Sequence, residues 1–242
     1  MEDFPTLWFK DAASFSRYHV FKDCKLTRRR YINMEFLESL QFPYLATFKE
    51  FKWIKFLEID GRYCDKIVRC FYSNTKMLDD GSRAFDRIPT YVKEKSLMIN
   101  AGLLSKIHGV PLPGEAFGDK FNVLEACRVV YEDPELTSPR FDVAGFRRDI
   151  RLLHLIVVHF FKPRSGRLPR LSCEDIWMIW KIVEGHRFNI CDLIIYSISK
   201  FIFHLDSRTM TFGCLIIDLM HRLGVDFSNE VLVSLHPNRK IG

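Results

Sequence analysis

The chain has 242 residues, of which 48% are apolar and 27% are charged, and its net formal charge is +6. This composition is typical of globular proteins and excludes a largely disordered chain. The charge excess is compatible with an acidic partner, but it is smaller than that of most dedicated nucleic-acid-binding modules.

The cysteines and the amino-terminal sequence indicate the compartment of the protein. Seven cysteines are scattered along the chain and never form a C-x-x-C pair, so we expect reduced thiols rather than disulfides or a zinc site. The sequence MEDFPTLWFKD has no long apolar run and does not resemble a signal peptide. The longest apolar runs, such as Leu155–Phe161, are too short to span a bilayer. We therefore expect a soluble cytoplasmic or nuclear protein without a membrane partner.

Residues 1–34 are predicted to form an amino-terminal arm that is rich in aromatic and basic residues. Its basic part is the cluster Lys25–Arg30. The aromatic residues are expected to pack on the body of the protein, and a partner-binding surface is the alternative. These residues are Trp8, Phe9, Phe15, Tyr18 and Phe21.

The middle of the chain is predicted to contain short helices and one extended pair. Pro43 separates the first two helices, since proline cannot continue a helix interior. Tyr91–Val92 and Leu97–Ile99 flank three charged residues and are predicted to form a small hairpin. The predicted helices are Met34–Leu40, Tyr44–Ile59, Tyr63–Ser73, Asn100–Ile107 and Phe121–Tyr131.

The carboxy-terminal half is predicted to contain four helices with clear start signals. Asp142 is expected to cap a helix that runs to about Phe161. Ser172 and Asp175 have the spacing of a capping box, in a helix that ends at Gly185. The third helix is expected to start at an Asn189 cap, and the last to span Phe212–Leu223. The chain is thus predicted to be a mainly α, compact single domain with at most a minor β-hairpin.

Several short motifs resemble one known family in their order along the chain. Val68-Arg-Cys-Phe-Tyr-Ser-Asn74 resembles a helix end of the plant putative transposon protein domain, although Cys70 replaces its usual acidic residue. Tyr91–Lys95 followed by Leu97–Asn100 resembles its short extended element and the helix after it. Arg151–His154 with Pro163–Gly166 resembles its Arg-x-Leu-His helix and the break that follows. The resemblance covers residues 35–225, leaving 226–242 as a tail. It implies an origin in a plant retroelement and assigns no activity.

The sequence contains no recognisable catalytic or metal-binding pattern. A transposase would need three carboxylates around metal ions, and Asp192, Asp206 and Asp218 are candidates only because they are acidic. His154 and His159 lie about 140° apart on an ideal helix, which is poor geometry for a shared metal. We expect satisfied or solvent-facing histidines, no cofactor, no metal and no enzymatic activity.

Two basic elements suggest a binding function. Wound as an ideal helix, residues 147–162 present a basic outer stripe that includes His154 and His159, and the following loop continues it. The prediction is therefore a non-enzymatic, retroelement-derived plant protein, either a structural or protein-interaction domain that could self-associate. The alternative is a weak, sequence-nonspecific nucleic-acid binder. Its candidate residues are Arg28, Arg29, Arg30, Arg147, Arg148, Arg151, Lys162, Arg164, Arg167 and Arg170.

Overall fold

The fold was analysed in a computed structural model of the chain. It describes residues 5–27, 30–59, 61–75, 86–117, 121–164, 166, 168–203, 209–234 and 240–241. Within these ranges the fold is mainly α-helical, as predicted, and one hydrophobic core connects the elements. None of the described helices is both long and apolar enough to cross a membrane.

Eleven α-helices lie in the described ranges, and most of the predicted helices are confirmed within a few residues. The helices are α1 (Ala12–Phe21), α2 (Met34–Ser39), α3 (Leu45–Glu50), α4 (Ile54–Leu57), α5 (Asp65–Asn74), α6 (Ala101–His108), α7 (Val123–Tyr131), α8 (Arg148–Ile156), α9 (Cys173–Val183), α10 (Ile190–Phe203) and α11 (Gly213–Arg222). A single π-helical turn, Val157–Phe161, continues α8.

The described strands pair in three two-stranded ladders. The predicted hairpin is confirmed as the antiparallel pair β3–β4, in which Tyr91 lies opposite Ser96. Two short parallel pairs, β1–β5 and β2–β6, were not predicted, because they join segments far apart in the sequence. The strands are β1 (Lys25–Leu26), β2 (Tyr31–Ile32), β3 (Arg87–Val92), β4 (Lys95–Asn100), β5 (Thr209–Met210) and β6 (Lys240–Ile241).

The amino-terminal arm packs into the common core. Trp8, Phe9 and Phe21 are buried, and α1, which the sequence analysis missed, lies against α5. The side-chain amide of Asn74 donates to the carbonyl of Trp8 at 2.7 Å, and its oxygen accepts from the amide of Lys10 at 3.0 Å. Packing of the arm, rather than an exposed aromatic surface, is therefore confirmed for these three side chains.

Local start signals predicted α9 and α10 correctly. The hydroxyl of Ser172 accepts from the amide of Asp175 at 3.2 Å, and the Asp175 carboxylate accepts from the amide of Ser172 at 2.8 Å. Asn189 caps α10 by accepting from the amide of Asp192 at 3.1 Å. Both signals depend on residues within four positions of each other, so the sequence carries them directly.

Two helix predictions were wrong. The predicted helix Tyr44–Ile59 is interrupted at Lys52, whose left-handed backbone (φ 59°) separates α3 from α4. Asp142 does not cap α8, because its carboxylate accepts from the nearby amide of Ala144 at 2.8 Å, and α8 begins only at Arg148. At Asp142, the hydrogen bond from the nearby amide forms a local turn in place of the predicted cap.

A close backbone approach holds the segment after α6 against the turn between α9 and α10. The amide of Glu115 donates to the Arg187 carbonyl, and the Glu115 carbonyl accepts from the Asn189 amide, each at 3.1 Å. A Cβ atom added at Gly114 would lie 2.5 Å from the carbonyl carbon of Phe188 and 2.7 Å from the amide nitrogen of Asn189. Only glycine fits here, since both neighbours are backbone atoms that cannot rotate away.

Gly114→Ala is expected to lower the free energy of unfolding by about 1–3 kcal/mol, because the two segments must separate to admit the methyl group. Urea denaturation would measure the loss. Gly213→Ala is the control: its added Cβ would lie at an ordinary 3.7 Å from a Val68 methyl group, so a change within about 0.5 kcal/mol is expected. Equal stability of both variants would contradict the prediction.

Candidate nucleic-acid interface

A polar cleft of about 900 Å³ lies where the two basic elements of the sequence meet. Arg30 reaches it from the amino-terminal cluster, and Arg164 reaches it from the loop after the π-helical turn. The cleft also receives residues from the end of α1 and from α5. Its described lining residues are Lys22, Asp23, Cys24, Lys25, Leu26, Thr27, Arg30, Tyr63, Asp65, Arg69, His159, Arg164, Gly166 and Leu168.

Short strand pairs position the first wall of the cleft. In β1, Lys25 lies in register with Thr209 of β5. The amide of Thr27 extends this contact by donating to the carbonyl of Met210 at 2.8 Å. Arg30 directly precedes β2, which is paired with β6. The basic segment is therefore held by long-range backbone hydrogen bonds on both sides.

The cleft is positively charged. Five cationic side chains and two carboxylates are among its described lining residues, and their net formal charge is +3. Lys22, Lys25 and Arg30 form no ion pair within the part of the chain that the structure describes. Such cations, collected around a concave surface, attract phosphate groups and release condensed counterions when they bind nucleic acid.

The other two cations of the cleft are held by the protein itself. Arg69 lies 3.8 Å from the Asp65 carboxylate and donates to the carbonyl of Phe21. Arg164 lies 3.0 Å from the fully buried carboxylate of Asp175. These contacts fix the two guanidinium groups, so they contribute positive potential to the cleft with little conformational freedom.

The π-helical turn places His159 at the cleft. The amide of Lys162 donates to the Val157 carbonyl at 2.9 Å, a five-residue spacing that widens the turn. His159 is 6% exposed, and neither ring nitrogen has a hydrogen-bond partner among the described residues. Burial, together with the charges of Arg30 and His154, lowers its pKa to about 4.

The buried histidines correct the sequence analysis. His154 is 3% exposed, and its Nε2 atom also lacks a partner in the described ranges. Burial lowers the pKa of His154 to about 4. The expectation of satisfied or solvent-facing histidines was wrong. The π-helical turn changes the winding for His159, whereas His154 precedes that turn and is buried within α8 itself.

The predicted outer stripe is divided in two. Lys162 and Arg164 turn inward to the acidic residues at the start of α9: Lys162 contacts Glu174, and Arg164 contacts Asp175. Burial lowers the pKa of Lys162 to about 8, with the attraction of Asp175 opposing the shift. The prediction of a continuous basic outer face is therefore wrong. Phosphate binding by the individual residues of that face stays a prediction.

The remaining predicted residues lie elsewhere. Arg147 contacts Glu132 at 2.6 Å and Asp149 at 3.0 Å. Arg148, Arg151 and Arg170 are exposed and are not among the described residues that line the cleft. Three predicted residues fall outside the described ranges: Arg28, Arg29 and Arg167.

Sequence analysis missed Lys22, Tyr63 and Arg69 as residues of the cleft. No local sequence pattern connects these residues, because Tyr63 and Arg69 lie 41 and 47 positions after Lys22. They meet Lys22 only through the packing of α1 against α5. One sequence signal was available: Asp65 and Arg69 are four positions apart, a spacing that predicts an ion pair on one face of a helix.

The candidate carboxylates of a metal-dependent reaction have other partners. Asp192 accepts from the side-chain amide of Asn189, and Asp218 contacts Arg222 at 2.8 Å. Asp206 lies outside the described ranges. Among the described residues, no group of three or more metal-binding side chains is brought together. None of the seven cysteines is paired with another.

Comparison with protein families identifies the origin of the chain. The family model of a putative plant retrotransposon-related domain matches residues 49–226. The chain belongs to this family. The match confirms the resemblance to a transposon-related plant domain over residues 49–226 and the origin in a plant retroelement, whereas the predicted start at residue 35 stays a prediction. No curated protein and no solved structure matches the chain.

The matched region covers only one wall of the cleft. Tyr63, Arg69 and Arg164 lie inside the retrotransposon-related domain, whereas Lys25 and Arg30 precede it. The cleft is thus formed between the family domain and the amino-terminal segment packed against it.

Proposed function

We propose that this retroelement-derived domain is non-enzymatic and binds the phosphate backbone of nucleic acid in the basic cleft. The observation that carries the proposal is the convergence of cations from separate chain segments on one concave surface. Phosphate contacts by lysine and arginine supply affinity without reading sequence, so binding would be sequence-nonspecific and dependent on salt.

The location of the free cations distinguishes this proposal from binding by an outer helix face. Lys22, Lys25 and Arg30 have no ion pair among the described residues, and an incoming phosphate therefore does not compete with a protein carboxylate for them. In contrast, Lys162 and Arg164 already have carboxylate partners. A structural or protein-interaction role, including self-association, stays a prediction.

The double variant Lys25→Glu, Arg30→Glu is expected to lose binding to a random oligonucleotide, since it reverses two unpaired cations of the cleft. In the wild type, three phosphate contacts would give a slope of about −2 when the logarithm of the binding constant for a single strand is plotted against the logarithm of the salt concentration. Fluorescence anisotropy over a salt series measures both quantities.

The matched control is Arg148→Glu, Arg151→Glu, which makes the same charge change on exposed residues of α8. It should keep most of the affinity. No binding by the wild type at low salt would overturn the proposal. Loss of binding in the α8 variant, with retention in the cleft variant, would also overturn it and place the binding surface on α8.

A further inference from the structure

The dimensions of the cleft restrict the form of nucleic acid that can enter it. Its volume of about 900 Å³ is smaller than that of a few base pairs of duplex, so a duplex could contact only the rim of the cleft. A single strand has no such obstacle, because its backbone and bases can follow a narrow groove.

One aromatic residue borders this space among the described lining residues. The ring of Tyr63 is partly buried, and its hydroxyl group forms no hydrogen bond within the described ranges. Its backbone, however, is fixed: the Tyr63 amide donates to the Val233 carbonyl at 3.0 Å, and the Val233 amide donates back at 2.8 Å. Tyr63 therefore lines the cleft from a backbone that two hydrogen bonds hold in place, with its side chain partly packed against the core.

An aromatic ring beside unpaired cations is the combination that single-stranded nucleic acid recognises. Cations follow the phosphate backbone, and a base stacks on the ring irrespective of its identity, since every base has a π-face. In a duplex the bases are already stacked on one another and cannot use such a ring. Tyr63 therefore adds a contact that only an unpaired strand can make.

We infer that the cleft binds single-stranded and not double-stranded nucleic acid, with Tyr63 as the stacking residue and Lys22, Lys25 and Arg30 as phosphate contacts. This inference rests on the proposed function and adds the substrate class to it. It also predicts separate roles for the two kinds of residue: the cations determine how binding depends on salt, and Tyr63 determines the preference for a single strand.

The test compares a fluorescein-labelled 12-nucleotide single strand with the same strand annealed to its complement, at low salt. The single strand is expected to bind at least about tenfold more tightly. Tyr63→Ala should weaken single-strand binding by about 5- to 100-fold, and Tyr63→Phe should preserve it because the π-face remains. The salt slope should stay unchanged in Tyr63→Ala and become shallower by about 0.7 in Lys25→Gln.

Thermal unfolding establishes that each variant is folded, and Tyr63→Leu, which keeps apolar volume without a π-face, replaces Tyr63→Ala if that variant unfolds. Equal affinity for duplex and single strand would overturn the inference while leaving the proposed function intact. Full affinity in the folded alanine or leucine variant would also overturn the stacking role. Binding of neither oligonucleotide at low salt would overturn both.

Discussion

Replacing Asp175 by alanine is expected to lower the free energy of unfolding by about 3–5 kcal/mol, because it removes one partner of a buried ion pair. Asp175 is 0% exposed, and its carboxylate lies 3.0 Å from the guanidinium of Arg164 and 4.0 Å from the ammonium of Lys162. Without it, Arg164 keeps its charge but loses its acidic partner.

The same substitution removes half of the capping box of α9. The Asp175 carboxylate accepts from the amide of Ser172 at 2.8 Å, and this amide would be left without its partner. Asp175→Asn should lose less stability than Asp175→Ala, since the amide oxygen can still accept from Ser172. The difference between the two variants separates the contribution of the charge from that of the hydrogen bond.

Glu125 provides a matched control in α7. It occupies the same third helical position after its cap, Asn122, and contacts Arg128 at 2.7 Å, but its side chain is 56% exposed. Glu125→Ala should cost less than about 1 kcal/mol, as exposed ion pairs usually do. Urea denaturation of the variants measures each loss. A similar cost for Asp175→Ala and Glu125→Ala would contradict a special role for the buried pair.

The sequence carries the parts of the fold that depend on neighbouring residues. Ser172 with Asp175, Asn189 and the hairpin residues around Lys93 all have their partners within a few positions, and each was predicted correctly. The helices containing these signals also have apolar faces at helical spacing, which the sequence displays directly.

The cleft could not be predicted, because its geometry comes from long-range contacts. Lys25 is placed by pairing with Thr209, and Arg164 is turned inward by Asp175. The π-helical turn has no local signature in Val157–Phe161, yet it decides that His159 faces inward. Sequence reasoning therefore found Arg30 and Arg164 as basic residues, but it assigned the second to an outer surface.

Two of the buried histidines, His154 and His159, should make the protein unstable to mild acid. In the unfolded chain a histidine has a pKa near 6.5, whereas burial lowers the pKa of both His154 and His159 to about 4 in the folded state. Between pH 6.5 and pH 4 the unfolded chain binds more protons, so the free energy of unfolding falls as the pH falls. The full stability is present above pH 6.5.

Burial is the main cause that keeps both rings neutral, and the charged groups around them modify its effect. Arg164 opposes protonation of His154, and the carboxylate of Asp175 only partly offsets the cost of burial. Arg30 and His154 both oppose protonation of His159. A shift of this size corresponds to about 3 kcal/mol for each histidine, which is a large part of the 5–15 kcal/mol that stabilises a typical domain.

The double variant His154→Leu, His159→Leu is expected to flatten this pH dependence, because leucine has no proton to gain. Urea denaturation at pH 7, 6, 5 and 4, followed by tryptophan fluorescence, gives the difference in slope between the wild type and the variant. Carboxylates titrate in both proteins and cancel in that difference. His186→Gln is the control, since its exposed imidazole stays hydrated in the folded and the unfolded chain alike. If the double variant lost stability in acid as steeply as the wild type, the two histidines would not be the cause.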